Sequence, residues 1–421
     1  MTDTPKGNGP SRRTFLRGAL AAGAGVTAAR AAAESDPLIT EVQPWAQVFG
    51  DGVDATPYGM PIEYESHVVR RNVEWLTADV TSSINFTPIH ELDGTITPAG
   101  CAFERHHSGA IELRKEDYRL MINGLVDKPL VFTYEDLLRF PRVNAVHFCE
   151  CAANSGMEWA GAQLNGAQFT HGMIHNMEYS GVSLRTLLEE AGVKPEGKWV
   201  FVEGADASSN GRSIPLEKAL DDCIVAFKAN GEALRMEHGY PVRLVVPGWE
   251  GNMWVKWLRR IEVTHQAVES REETSKYTDT MADGTSRKWT WEMDAKSVIT
   301  APSPQVPITH GPGPMVVTGL AWSGRGAITR VDVSLDGGVS WKEARLAAPG
   351  AKMALTRFYL DIDWDGEEML LQSRAHDDTG YVQPTKDALR EVRGLNSVYH
   401  NNGIQTWWVR KDGVSENVEI S

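Results

Sequence analysis

The chain has 421 residues, which at about 150 residues per domain is enough for two or three folded units with hydrophobic cores. Its apolar fraction of 42% and its 39 glycines are ordinary for soluble globular proteins and exclude a disordered chain, a collagen or a coiled coil. The formal charge of −14 argues against binding of nucleic acid or of an anionic membrane through bulk charge. Four cysteines, none of them in a Cys-x-x-Cys-His sequence, exclude a disulfide scaffold and covalent c-type haem.

Residues 1–33 have the three parts of a bacterial export signal. Arg12 and Arg13 precede a weakly apolar stretch rich in Ala and Gly, and Ala31–Ala33 supplies small residues for a signal peptidase. The paired arginines are typical of the twin-arginine route, which exports folded proteins, so we expect a periplasmic protein that acquires a cofactor before export. The stretch is far shorter than the roughly 20 apolar residues that a membrane span needs. The alternative is a basic disordered tail beside an amphipathic helix.

Residues 34–295 are expected to form a domain that mixes short helices and strands. The predicted strands are Tyr118 to Val126, Trp199 to Glu203 and Val242 to Val246. The predicted helices are 134–138, which follows the N-cap Thr133, then 183–191 and 215–220. Elements this short favour an α+β fold over a doubly wound sheet, and the chain has no phosphate-binding loop. Residues 265–300 are polar and are predicted to be a linker or an excursion over the surface of this domain.

In residues 296–421 the hydrophobic period becomes two, which is typical of strands. Val331, Val333 and Leu335 alternate with polar residues, and the Asp-Gly-Gly sequence at 336–338 predicts a hairpin turn with Val339 and Trp341 in the returning strand. We therefore predict an all-β sandwich of ~120 residues. Ten of the fourteen tryptophans follow residue 248, which is explained either by packing of the core or by a subunit interface.

The segment from His147 to Gly156 contains a Cys-x-Cys pair, Cys149 and Cys151. On an extended segment this spacing points both sulfurs to one face. The spacing is compatible with two inert buried thiols, with a metal site that has a single thiolate, and with half of a zinc site. Zinc is disfavoured because a structural site needs four ligands and usually has two to four residues between its paired cysteines.

Three other segments concentrate cationic side chains. Each segment alone fits a structural role, such as a capped turn, an ion pair or a lysine whose stem covers apolar surface. Together, in a strongly acidic chain, they indicate that separate loops converge on an anionic ligand. The residues concerned are Arg105, His106 and His107 in the first segment, His238 and Arg243 in the second and Lys256 in the third.

Taken together, these segments resemble the sulfite oxidase family of molybdenum enzymes. The similar blocks, which run from about residue 103 to the C-terminus, are Cys-Ala-Ala-Asn at 151–154, Glu-Gly-Ala-Asp at 203–206, His-Gly-Tyr-Pro-Val-Arg at 238–243, Val-Lys-Trp-Leu at 255–258, Trp-Ser-Gly at 322–324 and Val-Asp-Val-Ser-Leu-Asp-Gly-Gly at 331–338. The Phe-Glu-Arg-His-His-Ser-Gly sequence at 103–109 is most similar to the molybdenum subunits of Sox sulfane (sulfite) dehydrogenases. The resemblance implies a molybdopterin domain followed by an immunoglobulin-like β-sandwich that forms dimers.

The resemblance also implies a cofactor, molybdenum with one molybdopterin, and no haem in this chain. Cys151 is then the single protein thiolate on molybdenum, a soft ligand that suits this metal, while the role of Cys149 stays open. The residues implied in binding the pterin and its phosphate are His107, Asp206, His238, Arg243 and Lys256, together with Arg105. The residues implied in catalysis are Arg105 at the mouth of the site, the active-site tyrosine Tyr277, and Arg325 contributed by the β-sandwich.

The chain departs from the family pattern at Ser155 and Gly156, where arginines often stand. Loss of a charge-assisted hydrogen bond, worth roughly 1.5–3 kcal/mol, weakens a pocket for free sulfite. A less cationic and more open pocket suits sulfur carried on a larger molecule, such as the cysteine persulfide of a sulfur-carrier protein.

The activity implied is transfer of an oxygen atom from water to sulfane or sulfite sulfur, with electrons passed to a separate c-type cytochrome subunit. The expected assembly is a homodimer within a heterotetramer. A free-sulfite dehydrogenase or a sulfoxide reductase of the same family is the first alternative, and a non-catalytic periplasmic binding protein is the second. The sequence leaves open whether the substrate is free sulfite, thiosulfate or protein-bound sulfane sulfur.

Overall fold

A computed structural model of the chain describes residue 59 and residues 61–73, 83–347 and 350–420. The predicted export signal of residues 1–33 lies outside the described residues. The described residues from Glu63 onward belong to one compact unit. In this part of the chain, no helix combines the length and apolar character that crossing a membrane requires.

The first half of this unit mixes strands with short helices, as predicted. Its strands are β1 Arg71–Asn72, β2 Asn85–Phe86, β3 Arg119–Gly124, β4 Leu130–Thr133, β5 Val143–Glu150, β6 Ile174–Ser183, β7 Trp199–Gly204, β8 Gly211–Pro215, β9 Ile224–Ala229, β10 Glu232–Ala233, β11 Arg243–Val245 and β12 Leu258–Thr264. Its helices are α1 Tyr134–Leu137, α2 Ala167–His171, α3 Leu184–Ala191 and α4 Leu216–Asp221.

Two five-stranded sheets organise these elements. One has the order β4-β3-β12-β7-β8; the other has the order β10-β9-β6-β5, with β11 also paired to β9. Within these two sheets β3 and β12 pair in parallel and the other neighbours pair antiparallel. The long β5–β6 pair extends to the partners Glu150 and Ile174, so it delivers the cysteine segment to one end of its sheet.

The predicted short helices are confirmed, and their ends have the local chemistry that the sequence indicated. Thr133 caps α1: its hydroxyl accepts from the backbone N–H of Asp136, whose carboxylate accepts from the backbone N–H of Thr133. Helix α3 ends at Gly192, whose φ of 73° lies in the left-handed region that favours glycine.

Residues 265–300 are more ordered than a linker, so this prediction is wrong in part. They contain helix α5 Arg271–Thr274 and an antiparallel hairpin of β13 Thr278–Thr280 and β14 Ser286–Lys288. Polar residues suggested an exposed segment, but Glu273 is buried. Its carboxylate accepts from the backbone N–H and the hydroxyl of Ser213 and so fixes this segment to the domain.

The predicted β-sandwich is confirmed. Its elements are β15 Lys296–Ala301, β16 Gly313–Trp322, β17 Ile328–Ser334, β18 Lys342–Glu343, β19 Arg345–Leu346, β20 Thr356–Trp364, β21 Met369–Asp377, α6 Lys386–Arg393, β22 Thr406–Val409 and β23 Ser415–Val418. The two sheets have the orders β15-β16-β20-β19 and β18-β17-β21-β22-β23. The predicted hairpin forms, but its returning strand is β18, so the placement of Val339 and Trp341 in that strand is wrong: both lie in the loop before it.

The two halves of the unit meet tightly behind the cysteine segment. Each half has its own cluster of buried apolar side chains, but Phe148 of β5 and Ile174 of β6 belong to the cluster of the sandwich. Backbones also approach closely at Gly248 and Gly324, since a Cβ atom on Gly248 would lie 2.2 Å from the Gly324 carbonyl oxygen. One face of β5 is therefore packed against the sandwich.

Candidate active site

A cavity that is partly open to solvent lies at the end of β5, where several loops converge. Eight of the nine site residues predicted from the sequence line it, and the ninth, Arg325, does not. Those eight are Arg105, His107, Cys151, Asp206, His238, Arg243, Lys256 and Tyr277.

Both cysteines of the Cys-x-Cys pair face this cavity. Cys149 is the penultimate residue of β5 and Cys151 directly follows the strand, so the alternation of an extended chain places their sulfurs on the same face. Burial raises the pKa of Cys149 to about 12 and also raises the pKa of Cys151, on which a hydrogen bond from the backbone of Ala153 acts in the opposite direction. A buried thiol of this kind becomes a thiolate when a cation coordinates it.

A hydrogen-bonded chain connects Arg105, His107 and Tyr277 on one wall. Arg105 Nη2 lies 3.1 Å from His107 Nδ1, and His107 Nε2 lies 3.1 Å from the Tyr277 hydroxyl. Because an arginine only donates, Nδ1 accepts and the proton of the neutral imidazole is assigned to Nε2, which donates to the tyrosine oxygen. Burial and then Arg105 lower the pKa of His107 to about 4, which keeps the ring neutral. The Tyr277 hydroxyl proton is therefore free to donate into the cavity.

The charge of Arg105 is available to a ligand. Its Nη1 donates to the carbonyl oxygen of His106, and it forms no ion pair with any carboxylate in the described part of the chain. A guanidinium without a carboxylate partner attracts anionic or polarised groups.

Two further cations of the cavity lining, Lys256 and Arg243, are held by backbone carbonyls. Lys256 Nζ donates to the carbonyl oxygens of Arg105 at 3.0 Å and Glu237 at 2.9 Å, and Arg243 donates to those of His238 and Trp254. Burial and then Arg243 lower the pKa of Lys256 to about 7. Since carbonyl partners leave the positive charge uncompensated, these two side chains suit a phosphate.

Sequence reasoning missed several polar groups of the cavity, above all Asn252 and His175. Both the amide nitrogen and the amide oxygen of Asn252, and Nδ1 of His175, are buried without a hydrogen-bond partner among the described residues. Buried polar groups are nearly always paired, so these atoms indicate a polar ligand that fills the cavity. Asn252 stands in the segment that contains Lys256, but nothing in its own spacing marks it.

Arg212, also missed, is a buried cation behind Tyr277. Its guanidinium lies 4.5 Å from the centre of the Tyr277 ring, its side chain is 1% exposed, and it takes part in no ion pair within the described residues. Tyr399 of the sandwich stacks on the same ring at 4.9 Å. Tyr277 is thus held between an arginine and a second tyrosine.

The structure does not bring Arg325 to the cavity. Its Nε donates to Asp294 at 2.6 Å, its Nη1 lies 3.5 Å from Glu292, and its guanidinium lies 5.6 Å from the ring of Tyr381. Two carboxylates compensate its charge, which explains its place outside the cavity lining. Its role in binding an anionic substrate stays a prediction.

Comparison with known proteins identifies similar chains. The profile of the oxidoreductase molybdopterin binding domain matches residues 107–272, and the profile of the Mo-co oxidoreductase dimerisation domain matches residues 287–407. Sulfite oxidase of Gallus gallus is 34% identical over 333 residues, with 72% of each chain covered. Mitochondrial sulfite oxidase of Rattus norvegicus is 32% identical over 355 residues, which cover 76% of this chain and 64% of the rat protein.

A solved structure is more similar still. The crystal structure of the sulfane dehydrogenase SoxCD from Paracoccus pantotrophus superimposes with a TM-score of 0.88 at 75% sequence identity. The match covers 92% of this chain and 99% of that chain.

Proposed function

Because the chain belongs to the sulfite oxidase family of molybdopterin-dependent oxidoreductases, we propose that it oxidises sulfane sulfur carried on a larger molecule, with oxygen from water and with a c-type cytochrome subunit as electron acceptor. It is an oxidoreductase that acts on sulfur groups, and its cofactor is molybdenum with one molybdopterin. The 75% identity to the sulfane dehydrogenase SoxCD supports sulfane sulfur as the substrate.

The cavity residues fit this cofactor. Cys151 would provide the thiolate ligand of the metal, and Arg243, Lys256 and His238 would bind the phosphate and the pterin. Asp206, whose carboxylate accepts from Asn210 N–H at 3.1 Å, would accept from pterin N–H groups, and the unpaired amide of Asn252 offers both a donor and an acceptor. When bound, the cofactor supplies two-electron oxidation of sulfur with oxygen from water.

On the substrate wall, Arg105 would attract the sulfur group and Tyr277 would donate a hydrogen bond to it. His107 contributes by holding the Tyr277 oxygen through Nε2–H, and this arrangement leaves the phenol proton directed into the cavity. Both ring nitrogens of His107 are hydrogen-bonded within the chain, to Arg105 and to Tyr277. This supports a role in orienting those two side chains, in addition to the pterin contact that the resemblance implies.

The observation that carries the preference for sulfane sulfur is the packing at residues 155–156. Ser155 is buried and donates its hydroxyl proton to the Thr170 carbonyl oxygen at 2.8 Å. At Gly156 a Cβ atom would lie 2.5 Å from the Val398 carbonyl oxygen, so any side chain here collides with the sandwich. Both residues lie outside the cavity lining, and this packing excludes the arginine side chains that would favour a small dianion such as sulfite.

We further propose that the protein works in the periplasm after twin-arginine export. Residues 1–33 support the export route by sequence, and the dimerisation profile supports a homodimer formed through residues 296–421. The resemblance described in the sequence implies a heterotetramer with a c-type cytochrome, and a cysteine persulfide on a carrier protein would be the substrate.

The test compares substrates in the purified, molybdenum-loaded protein with cytochrome c as acceptor. We expect kcat/KM for a persulfidated cysteine peptide to exceed that for free sulfite by at least about tenfold, since one cation fewer costs sulfite roughly 1.5–3 kcal/mol. The same peptide without the extra sulfur is the control and should give no turnover. A larger kcat/KM for sulfite would instead make the protein a free-sulfite dehydrogenase, and purification from the native host without molybdenum would contradict the proposal altogether.

A further inference from the structure

The segment that carries the cavity-facing cysteines is held on its other face by the β-sandwich. Cys149 and Cys151 line the cavity, whereas the alternate residues Phe148, Glu150 and Ala152 contact the sandwich. The backbone N–H of Phe148 donates to the Met353 carbonyl oxygen at 3.0 Å, and the Ala152 carbonyl oxygen accepts from the His400 N–H at 2.8 Å. The period of two in an extended chain thus separates a ligand face from a support face.

Among these residues, Glu150 makes the most extensive side-chain contacts with the sandwich. Its carboxylate is fully buried and accepts from Lys296 Nζ at 3.0 Å, from Trp322 Nε1 at 2.7 Å and from Asn154 Nδ2 at 2.9 Å. Lys296 also donates to the Asn154 carbonyl oxygen at 3.2 Å. Lys296 and Trp322 belong to the sandwich and are 1% and 0% exposed, so the sandwich supplies the donors that neutralise and fix this carboxylate.

We propose that Lys296 and Trp322 are positioning residues that act through Glu150 to fix the direction of the Cys151 side chain. This inference rests on the proposed function, in which Cys151 holds the metal. A buried carboxylate with three donors on its two oxygens cannot rotate freely, and it is one peptide unit from Cys151. Groups that orient a metal ligand without touching the metal tune both its affinity and its electronic state.

The chain offers a matched control across the same interface. Lys386 Nζ of α6 lies 3.4 Å from Glu158 Oε2, and both side chains are buried. Glu158 also accepts from Asn417 Nδ2 at 3.0 Å. This second ion pair joins the same two halves of the protein, but Glu158 lies outside the cavity lining and is seven residues beyond Cys151. Loss of it weakens the interface without releasing the cysteine segment.

The experiment compares Lys296→Met and Trp322→Phe with the control Lys386→Met. In full-length protein prepared without cofactor, the rate at which iodoacetamide alkylates Cys151 is followed by mass spectrometry of the peptide that contains it. In the loaded protein, molybdenum content and the Mo(V) EPR g-values are measured. We expect Lys296→Met and Trp322→Phe to speed alkylation of Cys151 by about tenfold and to shift the g-values, because a released side chain becomes accessible and changes direction. Lys386→Met should alter neither.

The inference is overturned if Lys296→Met and Trp322→Phe leave both the alkylation rate and the g-values as in the unmodified protein, or if Lys386→Met changes them equally. Where circular dichroism shows that Lys296→Met does not fold, Trp322→Phe decides, since it removes one donor and leaves no unpaired charge. The double variant Glu150→Gln with Lys296→Gln keeps a hydrogen bond between the two side chains and should restore slow alkylation. The alkylation assay needs no metal. If the protein proves to contain no molybdenum, the proposed function is contradicted, but the alkylation rates still test whether Lys296 and Trp322 hold the Cys151 side chain.

Discussion

The two cavity-facing thiols lie two residues apart, but their surroundings differ. Burial raises the pKa of both thiols, to about 12 for Cys149; Arg243 opposes the rise at Cys149, and a hydrogen bond from the Ala153 backbone opposes it at Cys151. The resemblance to the family assigns the metal ligand to Cys151. We therefore expect Cys151→Ser to lose both molybdenum and turnover, and Cys149→Ser to retain the metal. Metal analysis and steady-state turnover of both variants check this. Loss of metal in Cys149→Ser with retention in Cys151→Ser would reverse the assignment.

The uncompensated charge of Arg105 leads to a second prediction. Because Arg105 has no carboxylate partner in the described residues, we expect its charge to serve the substrate rather than an ion pair. Arg105→Gln should raise KM and lower kcat/KM by roughly 1.5–3 kcal/mol, about ten- to a hundredfold, with little change in molybdenum content.

Arg325→Gln is the matched control for Arg105, since its guanidinium pairs with Asp294 and Glu292 outside the cavity lining. Because this guanidinium lies outside the cavity lining and two carboxylates compensate its charge, the variant should keep kcat/KM within severalfold of the parent. Unchanged kinetics in fully metallated Arg105→Gln would remove Arg105 from the substrate site. A large loss in Arg325→Gln would confirm the role in anion binding that the resemblance implies.

At the scale of elements, the contact at Gly156 joins the turn after β5 to the loop before β22. A methyl group at this position would lie 2.5 Å from the Val398 carbonyl oxygen, and overpacking of this kind costs about 1–3 kcal/mol. Gly156→Ala should therefore lower the free energy of unfolding by that amount in denaturant titrations. Gly311→Ala is the control, because no atom lies within 4 Å of its added methyl group. Equal stability of the two variants would contradict the close packing on which the substrate proposal depends.

Three histidines of β5 and the loop before β3 predict how stability depends on pH. Burial, as the largest cause, lowers the pKa of His107 and His147 to about 4 and that of His106 to about 3, from an ordinary value of 6.5. Below pH 6.5 the unfolded chain binds protons that the folded chain does not, so stability is complete above that pH and falls as the pH drops toward 4. Thermal unfolding of cofactor-free protein at fixed ionic strength should show Tm falling across this window. His147→Gln should reduce the slope, and a flat Tm between pH 6.5 and 4 would contradict the buried neutral state.

Periodicity and capping residues were sufficient to predict the elements that depend on neighbours in sequence. Thr133 and Gly192 marked helix ends correctly, and the alternation around Val331 predicted the strand that forms there. Polar side chains that find partners far along the chain were not predictable in this way. Glu273 made its segment read as a surface linker, and the pair of Glu150 with Lys296 joins residues 146 positions apart, a distance at which no local pattern exists.

The candidate site shows the same division. Arg105, Cys151 and Lys256 were found because their segments resemble a family, and the structure brings all three to one cavity. Arg212 and Asn252 were missed because burial, rather than spacing, is what makes an arginine or an asparagine informative.

At the scale of the whole molecule, exposed apolar side chains on the sandwich indicate that the protein self-associates. Val339, Val392 and Leu395 are 87%, 64% and 65% exposed, and residues 287–407 match a dimerisation domain. We expect the full-length protein to sediment as a species of twice the mass of one chain over micromolar concentrations. A strict monomer across that range, in metallated protein, would contradict the dimer.

The contact between His400 and Ala152 also fixes the order of events during biosynthesis. The cavity-facing cysteines are made early, but His400, whose backbone N–H binds the Ala152 carbonyl oxygen beside them, is made 249 residues after Cys151. A chain that stops before His400 therefore lacks part of the wall that supports the ligand segment. We therefore expect the metal to be loaded only after His400 has been made and has folded onto the cysteine segment.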